Sequence, residues 1–327
     1  MRIIFFLFII LSFIGCKSQT ENNPDITPEA IEFHPKKFTK IDSLKTDQQV
    51  EDLINRLLSH EKRKFLVKKI SDFDDGFLYV DYCKRTSDSL GIDKAFYKAD
   101  FDGNQLTDLL VTGDYYDFTI FTVLNYGNDS LSLRQLTRNH FQACVFPKIK
   151  DDSIIEFYYF SQNGYQKENK LSKKLLTYKF NDFVELNENP VNHKIEKIEF
   201  ETGPCFGSCP IFSLILTKGE KSSFEAIAYN FNDDWLHGGD NEGKFQTILK
   251  RENWEELTTI LNYLDFENLE NDYAVNWTDD QSAKLKIYHD EGKVKEIHDY
   301  GLIGTFGLSI LYNKLFEIRK NQDWKKL

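Results

Sequence analysis

Methionine is almost missing from this chain. The only one is the initiator, so the cores have to be built from rigid aromatic and branched side chains rather than from flexible thioethers. Aromatic residues make up 15% of the 327 residues, with 28 Phe and 16 Tyr, a composition that favours strands. Long apolar runs are also missing: residues 3–14 hold about twelve apolar positions, against the roughly 20 needed to cross a hydrocarbon core of about 30 Å. Positive charge is in short supply. Lys and Arg number 41 against 52 Asp and Glu, and a net charge of −11 opposes nucleic acid or an anionic membrane surface as a main partner. There is no Gly-x-Ser-x-Gly elbow, no Gly-x-x-x-x-Gly-Lys-Ser/Thr phosphate loop, and no His-x-x-x-His pair among the seven histidines. No internal repeat of fixed period is present. An enzyme is thus unsupported by motif, though not excluded.

What is present begins with an address. Met1-Arg2, the apolar run and Gly15-Cys16 have the layout of a secretory signal, with a basic start, an apolar stretch and a small residue before the cut. Phe13-Ile14-Gly15-Cys16 resembles the lipobox of bacterial lipoproteins, in which the cysteine is lipidated and the preceding segment removed. A retained transmembrane helix and an ordinary cleaved signal are the alternatives, and the shortness of the run opposes the first. The resemblance implies a signal peptide over residues 1–15 and attachment to a lipid bilayer through acylated Cys16, each buried methylene contributing about 0.8 kcal/mol. Removing 15 of the 327 residues leaves 312, and loss of Arg2 takes the net charge from −11 to −12. Lys17-Ser18 lacks the aspartate that resembles an inner-membrane retention signal, which points to the outer membrane of a cell envelope. Residues 16–45 carry Pro24, Pro28 and Pro35 with little apolar periodicity and read as a lipidated tether.

A mature chain of this length suggests about two domains. Residues 46–188 read as a β-rich domain behind one helix at 47–61, where Val50, Leu53, Ile54, Leu57 and Leu58 recur at helical spacing and Thr46 can cap the start. Short alternating or aromatic runs predict strands at 76–80, 95–99, 108–112, 118–125, 130–136, 154–160 and 174–180, with hairpin turns at 125–129 and 162–164. After a break at 187–190, residues 191–327 predict strands at 195–200, 211–217, 222–229 and 244–249, a helix at 253–264, a hairpin over 283–300 and a last helix at 306–320. This order predicts an α+β fold of antiparallel sheets, with helices on one face of the C-terminal sheet.

Beyond Cys16 there are four cysteines, Cys83, Cys144, Cys205 and Cys209, and an oxidising compartment permits two disulfides. Spacing does not decide connectivity, but the local pairings Cys205 with Cys209 and Cys83 with Cys144 make the smallest demand. Two cysteines four apart on an extended strand lie about 13 Å apart, beyond the roughly 7 Å limit for bridging, so a staple needs a turn that Gly207 can supply. The string Gly203-Pro-Cys-Phe-Gly-Ser-Cys-Pro210, followed by the strand at 211–216 and the later helix, strand and helix, resembles an uncharacterised bacterial domain family. That family carries a Gly-Pro-Cys-Phe-Gly-x-Cys-Pro signature, and the resemblance covers about residues 194–320. Its members are often exported or lipid-anchored and it is a domain of unknown function, so the resemblance implies a fold relationship and no reaction. Cys-x-x-x-Cys-Pro spacing also occurs in copper-delivery proteins of thioredoxin-like fold, which leaves a copper or thiol-redox site at Cys205 and Cys209 as the alternative to a staple. In that fold the motif opens a helix, whereas here a strand follows.

Asp100, Asp102, Asn104 and Asp108 place oxygen side chains at positions one, three, five and nine of one short loop, with a main-chain carbonyl at seven, as a calcium ion requires. The loop resembles the calcium loops of β-propeller-type repeats and departs from them at Gln105, where glycine makes the sharp turn. An acidic turn held by Asx hydrogen bonds is the alternative. His289 and His298 fall on the two arms of one predicted hairpin, with His289 pairing near Val294, so the pattern does not make them a metal or acid–base pair. The loop at 233–239 reads as a long connection with Trp235 tucked on the core, a ligand surface being the alternative. The sequence therefore predicts a cell-envelope lipoprotein acting as a binding or structural interaction module with an envelope protein partner. An exported, hydrolase-like enzyme with a site between the two domains is the alternative, and no catalytic residue is singled out.

Overall fold

Thr46 opens the first full helix as the spacing predicts: its hydroxyl accepts from Gln49 N–H at 3.3 Å, and Gln49 answers by accepting from Thr46 N–H, a capping box. The computed structural model describes residues 38–59, 62–73, 80–138, 142–163, 166–231, 242–275 and 277–327. Cys16, the signal, most of the tether, most of the strand expected at 76–80 and the Trp235 loop lie outside these residues.

A short α1 (Lys40–Ser43) and α2 (Asp47–Leu57) turn Ile41, Val50, Leu53 and Ile54 onto one face of a five-stranded sheet. That sheet comprises β1 (Leu66–Val67), β2 (Phe96–Ala99), β3 (Asp108–Tyr115), β4 (Asp117–Asn125) and β5 (Leu131–Gln135). Strands β3 and β4 are buried on both faces along most of their length and read as near-continuous apolar runs. Leu109, Val111, Phe121 and Val123 meet the helices, while Leu110, Ile120 and Leu124 meet a second, four-stranded sheet. This second sheet is a meander of β6 (Gln142–Lys150), β7 (Ile154–Asn163), β8 (Gln166–Lys179) and β9 (Asp182–Glu185). Near the far side of the meander, α3 (Val80–Ser89) brings Cys83 into a small core with Ile70, Phe146 and Phe160. Val80 thus opens a helix where the sequence reading placed the end of a strand.

The C-terminal half is an eight-stranded sheet. Its strands are β10 (Ile195–Thr202), β11 (Ile211–Thr217), β12 (Lys221–Ala228), β13 (Gly243–Ile248), β14 (Asp272–Ala274), β15 (Ser282–His289), β16 (Lys293–Tyr300) and β17 (Lys325–Lys326). They lie in the order β14-β16-β15-β10-β11-β12-β13-β17. Phe200, Phe212, Leu214, Phe224, Leu285 and Ile287 point to one face, where α4 (Arg251–Leu264) and α5 (Phe306–Asn321) cover them with Leu257, Ile260, Leu261, Leu311 and Leu315. The alternate positions, among them Ile215, Ile227 and Ile248, face outward and are exposed.

The α+β expectation is overturned. Among the described residues there are seventeen strands and five helices, one of the helices only four residues long, so the chain is β-rich. Nor are the sheets purely antiparallel, since β14 runs parallel to β16. The physical reason is compositional: stiff aromatic and β-branched side chains fill pleated faces well, and the helices serve only as single covering layers. No described helix is long and apolar enough to cross a membrane.

Residues 37–327 form one unit, and its two halves are joined by a few deep contacts. Phe306, the first residue of α5, inserts into the core between the two N-terminal sheets and meets Phe157 edge to face at 5.7 Å. Arg138 lies over the Phe306 ring at 4.9 Å and donates to Gly304 O at 2.9 Å and to Ser309 Oγ. Glu185, at the end of β9, accepts from Phe306 N–H and Gly307 N–H, both at 3.0 Å, and pairs with Lys174 at 3.0 Å. A β-carbon at Gly307 would collide with Leu264, so glycine is what lets α5 approach α4 this closely. Burial works to raise the Glu185 carboxyl's pKa, yet Lys174 and the two N–H groups outweigh it and hold the group below the usual carboxylate range.

A carboxylate whose folded pKa is lowered stabilises the fold above its unfolded value, and that contribution is lost as pH falls through the folded pKa. Glu185→Gln is therefore expected to lower stability by about 1.5–3 kcal/mol at pH 7, with the gap to the natural protein narrowing below about pH 4. Urea unfolding at the two pH values checks it.

Candidate functional site

The turn required of the cysteine signature is present. Cys205 and Cys209 are bridged by a disulfide with their Cα atoms 5.8 Å apart, and Gly207 takes φ +149°, which L-residues rarely adopt. Flanking groups hold the loop: Thr202 Oγ1 donates to Pro210 O at 2.8 Å, and Gln281 Nε2 donates to Pro210 O at 2.7 Å and Gly203 O at 3.2 Å. At its apex Phe206 N–H donates to Asp279 O at 2.9 Å, while the Phe206 side chain is 89% exposed. The motif runs into β11, a strand, and not into a helix as in the copper-delivery arrangement. Cys83 is buried and disulfide-bonded, and Cys144 lies in β6 with its side chain outside the described set.

The acidic loop closes on itself. Asp100 accepts from Asn104 N–H at 3.1 Å and Gln105 N–H at 2.8 Å, and Asn104 Oδ1 accepts from Leu106 N–H at 2.7 Å. Asp108 is fully buried and accepts from Phe101 N–H and Asn125 N–H, both at 2.8 Å. Gln105 adopts φ +67°, so the turn expected of glycine is made there by glutamine. The carboxylates of Asp100, Asp102 and Asp108 converge within 4.8 Å. Burial pushes the Asp108 carboxyl up to about 7 against the pull of its two N–H donors, and burial also raises Asp102. Asn104 contributes its amide to Asp102 and to Asn125 O, so it locks the loop whether or not an ion is held.

A cavity of about 380 Å³ lies where the halves meet, lined by Glu185, Asn187, Asn189, Tyr263, Leu264 and Thr305. Three carboxylates line it, Glu185, Glu188 and Asp265, and the first is already committed to α5 and Lys174. A second cavity, of about 460 Å³, borders the signature loop at Thr202 and Gly203 and reaches Tyr273, Lys284, His298 and Tyr300.

The most concentrated chemistry is a constellation that the sequence reading did not assemble. His193, in the segment before β10, His289, at the end of β15, Asp290, in the following turn, and Glu267, in the 3₁₀ turn after α4, bring ligand atoms within 4.8 Å of one another. Asp290 Oδ2 lies 2.6 Å from His193 Nδ1 and 3.2 Å from His289 Nδ1, and Oδ1 accepts from Lys194 N–H at 2.8 Å. Phe266 packs edge-on against both rings at 5.0 and 4.9 Å. The His193 hydrogen bond, helped by the Lys194 N–H and His289, holds the Asp290 carboxyl well below the usual carboxylate range. His298 takes no part: it faces outward, 2.7 Å from Glu296. His289 pairs with Lys293 instead of Val294, one residue from the expected register, because the loop is only Asp290, Glu291 and Gly292. The missed signal was alternation, since positions 283, 285, 287 and 289 share the buried face of β15.

Residues 196–319 match a family model described as Domain of unknown function (DUF6438). The match takes in the signature loop, Glu267, His289 and Asp290, while His193 lies just before it. No curated protein and no solved structure matches the chain.

A cation at the acidic loop has to draw the proton from Asp108, so its stabilising effect grows as pH rises through about 7. Millimolar calcium is expected to raise the melting temperature of chelator-treated protein by a few degrees at pH 8 and by much less at pH 5. An unmoved transition at pH 8 leaves the loop as a hydrogen-bonded turn. Titration of the unreduced protein with a thiol reagent is expected to find Cys205 and Cys209 unreactive, and two free thiols there would contradict the staple.

Proposed function

We propose that this chain is a cell-envelope lipoprotein, held at the outer membrane through acylated Cys16. Its body acts as a binding or structural interaction module toward an envelope protein partner. The address comes from the sequence alone, and the disulfide-bonded state of Cys83, Cys205 and Cys209 suits an oxidising compartment. Its acidic charge speaks for a protein partner over nucleic acid.

The observation that carries the binding reading is Phe206. Its side chain is 89% exposed and stands on a loop fixed by a disulfide, Thr202 and Gln281. An aromatic anchor ordered before binding loses little freedom on contact, which is how a few such residues dominate many interfaces. In the junction cavity Glu185 serves as a helix cap, so the hydrolase-like alternative has to draw its acid–base group from Glu188 or Asp265.

Two measurements check the two parts. Labelled palmitate is expected to enter the natural protein and not Cys16→Ser, and no label in either would remove the anchor. A photo-crosslinking residue placed at 206 in the anchored protein is expected to give a discrete protein adduct that disappears with Cys205→Ser/Cys209→Ser. Absence of any adduct in the natural disulfide-bonded form would overturn the interaction reading.

A further inference from the structure

Asp290 presents one oxygen to the Nδ1 atoms of two histidines. An ionised carboxylate only accepts, so both rings carry their proton on Nδ1 and turn Nε2 the other way. There the two Nε2 atoms meet a second carboxylate. His193 Nε2 lies 3.6 Å from Glu267 Oε2, and His289 Nε2 lies 3.5 Å from Glu267 Oε1. These separations are too long for good hydrogen bonds. They match the edge between neighbouring ligands of a tetrahedral ion, about 3.3–3.4 Å for metal–ligand bonds of about 2.0–2.1 Å.

Bare Nε2 lone pairs facing carboxylate oxygens repel unless positive charge stands between them. Both rings are packed into the fold, with side chains only 8% and 2% exposed and centroids 5.2 Å apart. One dication on the Nε2 side satisfies both nitrogens and Glu267 together. Lys293 Nζ, 3.7 Å from Glu267 Oε1, is a competing cation, but its side chain is 62% exposed and free to swing into solvent, while Lys295 Nζ is held by the Glu267 and Leu269 carbonyls.

We propose that His193, His289 and Glu267 bind one divalent transition ion of the zinc class through the two Nε2 atoms and the Glu267 carboxylate. Imidazole and carboxylate donors suit such an ion better than calcium, which takes oxygen ligands. Asp290 stands behind both rings as the orienting carboxylate, the arrangement that fixes the tautomer of metal-bound histidine. Glu267 is 36% exposed, which leaves the fourth position accessible to water or a small anion. The site ties the segment before β10, the β15–β16 turn and the end of α4 to one point. It stands independently of the Phe206 surface.

The test uses the untagged full chain, stripped with chelator and dialysed against zinc chloride, with cobalt(II) as a spectroscopic stand-in. One zinc per chain is expected, with the intense visible bands of tetrahedral cobalt. Glu267→Gln, at a partly exposed position, should lower zinc affinity at least tenfold while its melting temperature in chelator matches that of the natural protein. Asp290→Asn should weaken binding by about 10–100-fold. Glu255→Gln, which removes an exposed ion pair with Arg251 on α4, should leave zinc binding unchanged. Failure to take up zinc, or zinc binding unaltered in both Glu267→Gln and Asp290→Asn, would overturn the site.

Discussion

The carboxylate of Glu185 lies against the first N–H groups of α5, and the arrangement of the two halves turns on that contact. A helix start carries partial positive charge and several N–H groups without partners inside the helix. Here Thr305, the residue just before the helix, serves Leu308 N–H, while Phe306 and Gly307 are served from the end of β9. The same turn of helix places Phe306 in the neighbouring core and Arg138 across its ring. Neither half can settle its own boundary alone. Val184, next to Glu185, packs into the C-terminal core, so each half lends a residue to the other.

A comparable economy governs the histidine constellation. Four side chains from three separate stretches meet because sheet register and a short turn leave them no alternative. The antiparallel pairing of β10 with β15 brings Ile195 opposite His289, which sets His193 beside the β15–β16 turn. Asp290 and Glu291 both adopt positive φ there, with Asp290 fixed through Lys194 N–H. Backbone positions of this kind persist when surrounding contacts over-determine them.

Much of the chain could be read from local chemistry. The Thr46 cap, the hairpin arms either side of Asp290 and the start of α5 at Phe306 all lie where alternation, spacing and turn residues put them. What escaped lacked a local signature. α3 carries Lys84, Arg85, Thr86, Ser87 and Asp88 in one run, which obscures any apolar stripe. β6 holds Pro147, and β9 is only four residues long, so neither stands out as a strand. Overall class was misjudged because counting helices does not weigh them: α4 and α5 cover one face of one sheet, while strands make the rest of the framework. The Cys205–Cys209 turn announced itself through Gly207, whereas His193 and Asp290 stand 97 positions apart and nothing local links them.

The eight-stranded sheet ends, beside β13, on the two-residue strand β17 made of Lys325 and Lys326. An open sheet edge is a template for pairing with another chain, and a very short strand bearing lysines is a poor one. Lys326 stretches back over Phe245, so its stem shields the last large ring of that edge while its ammonium stays near water. Where copies of this chain meet, such a blunt margin keeps neighbours from knitting their sheets together.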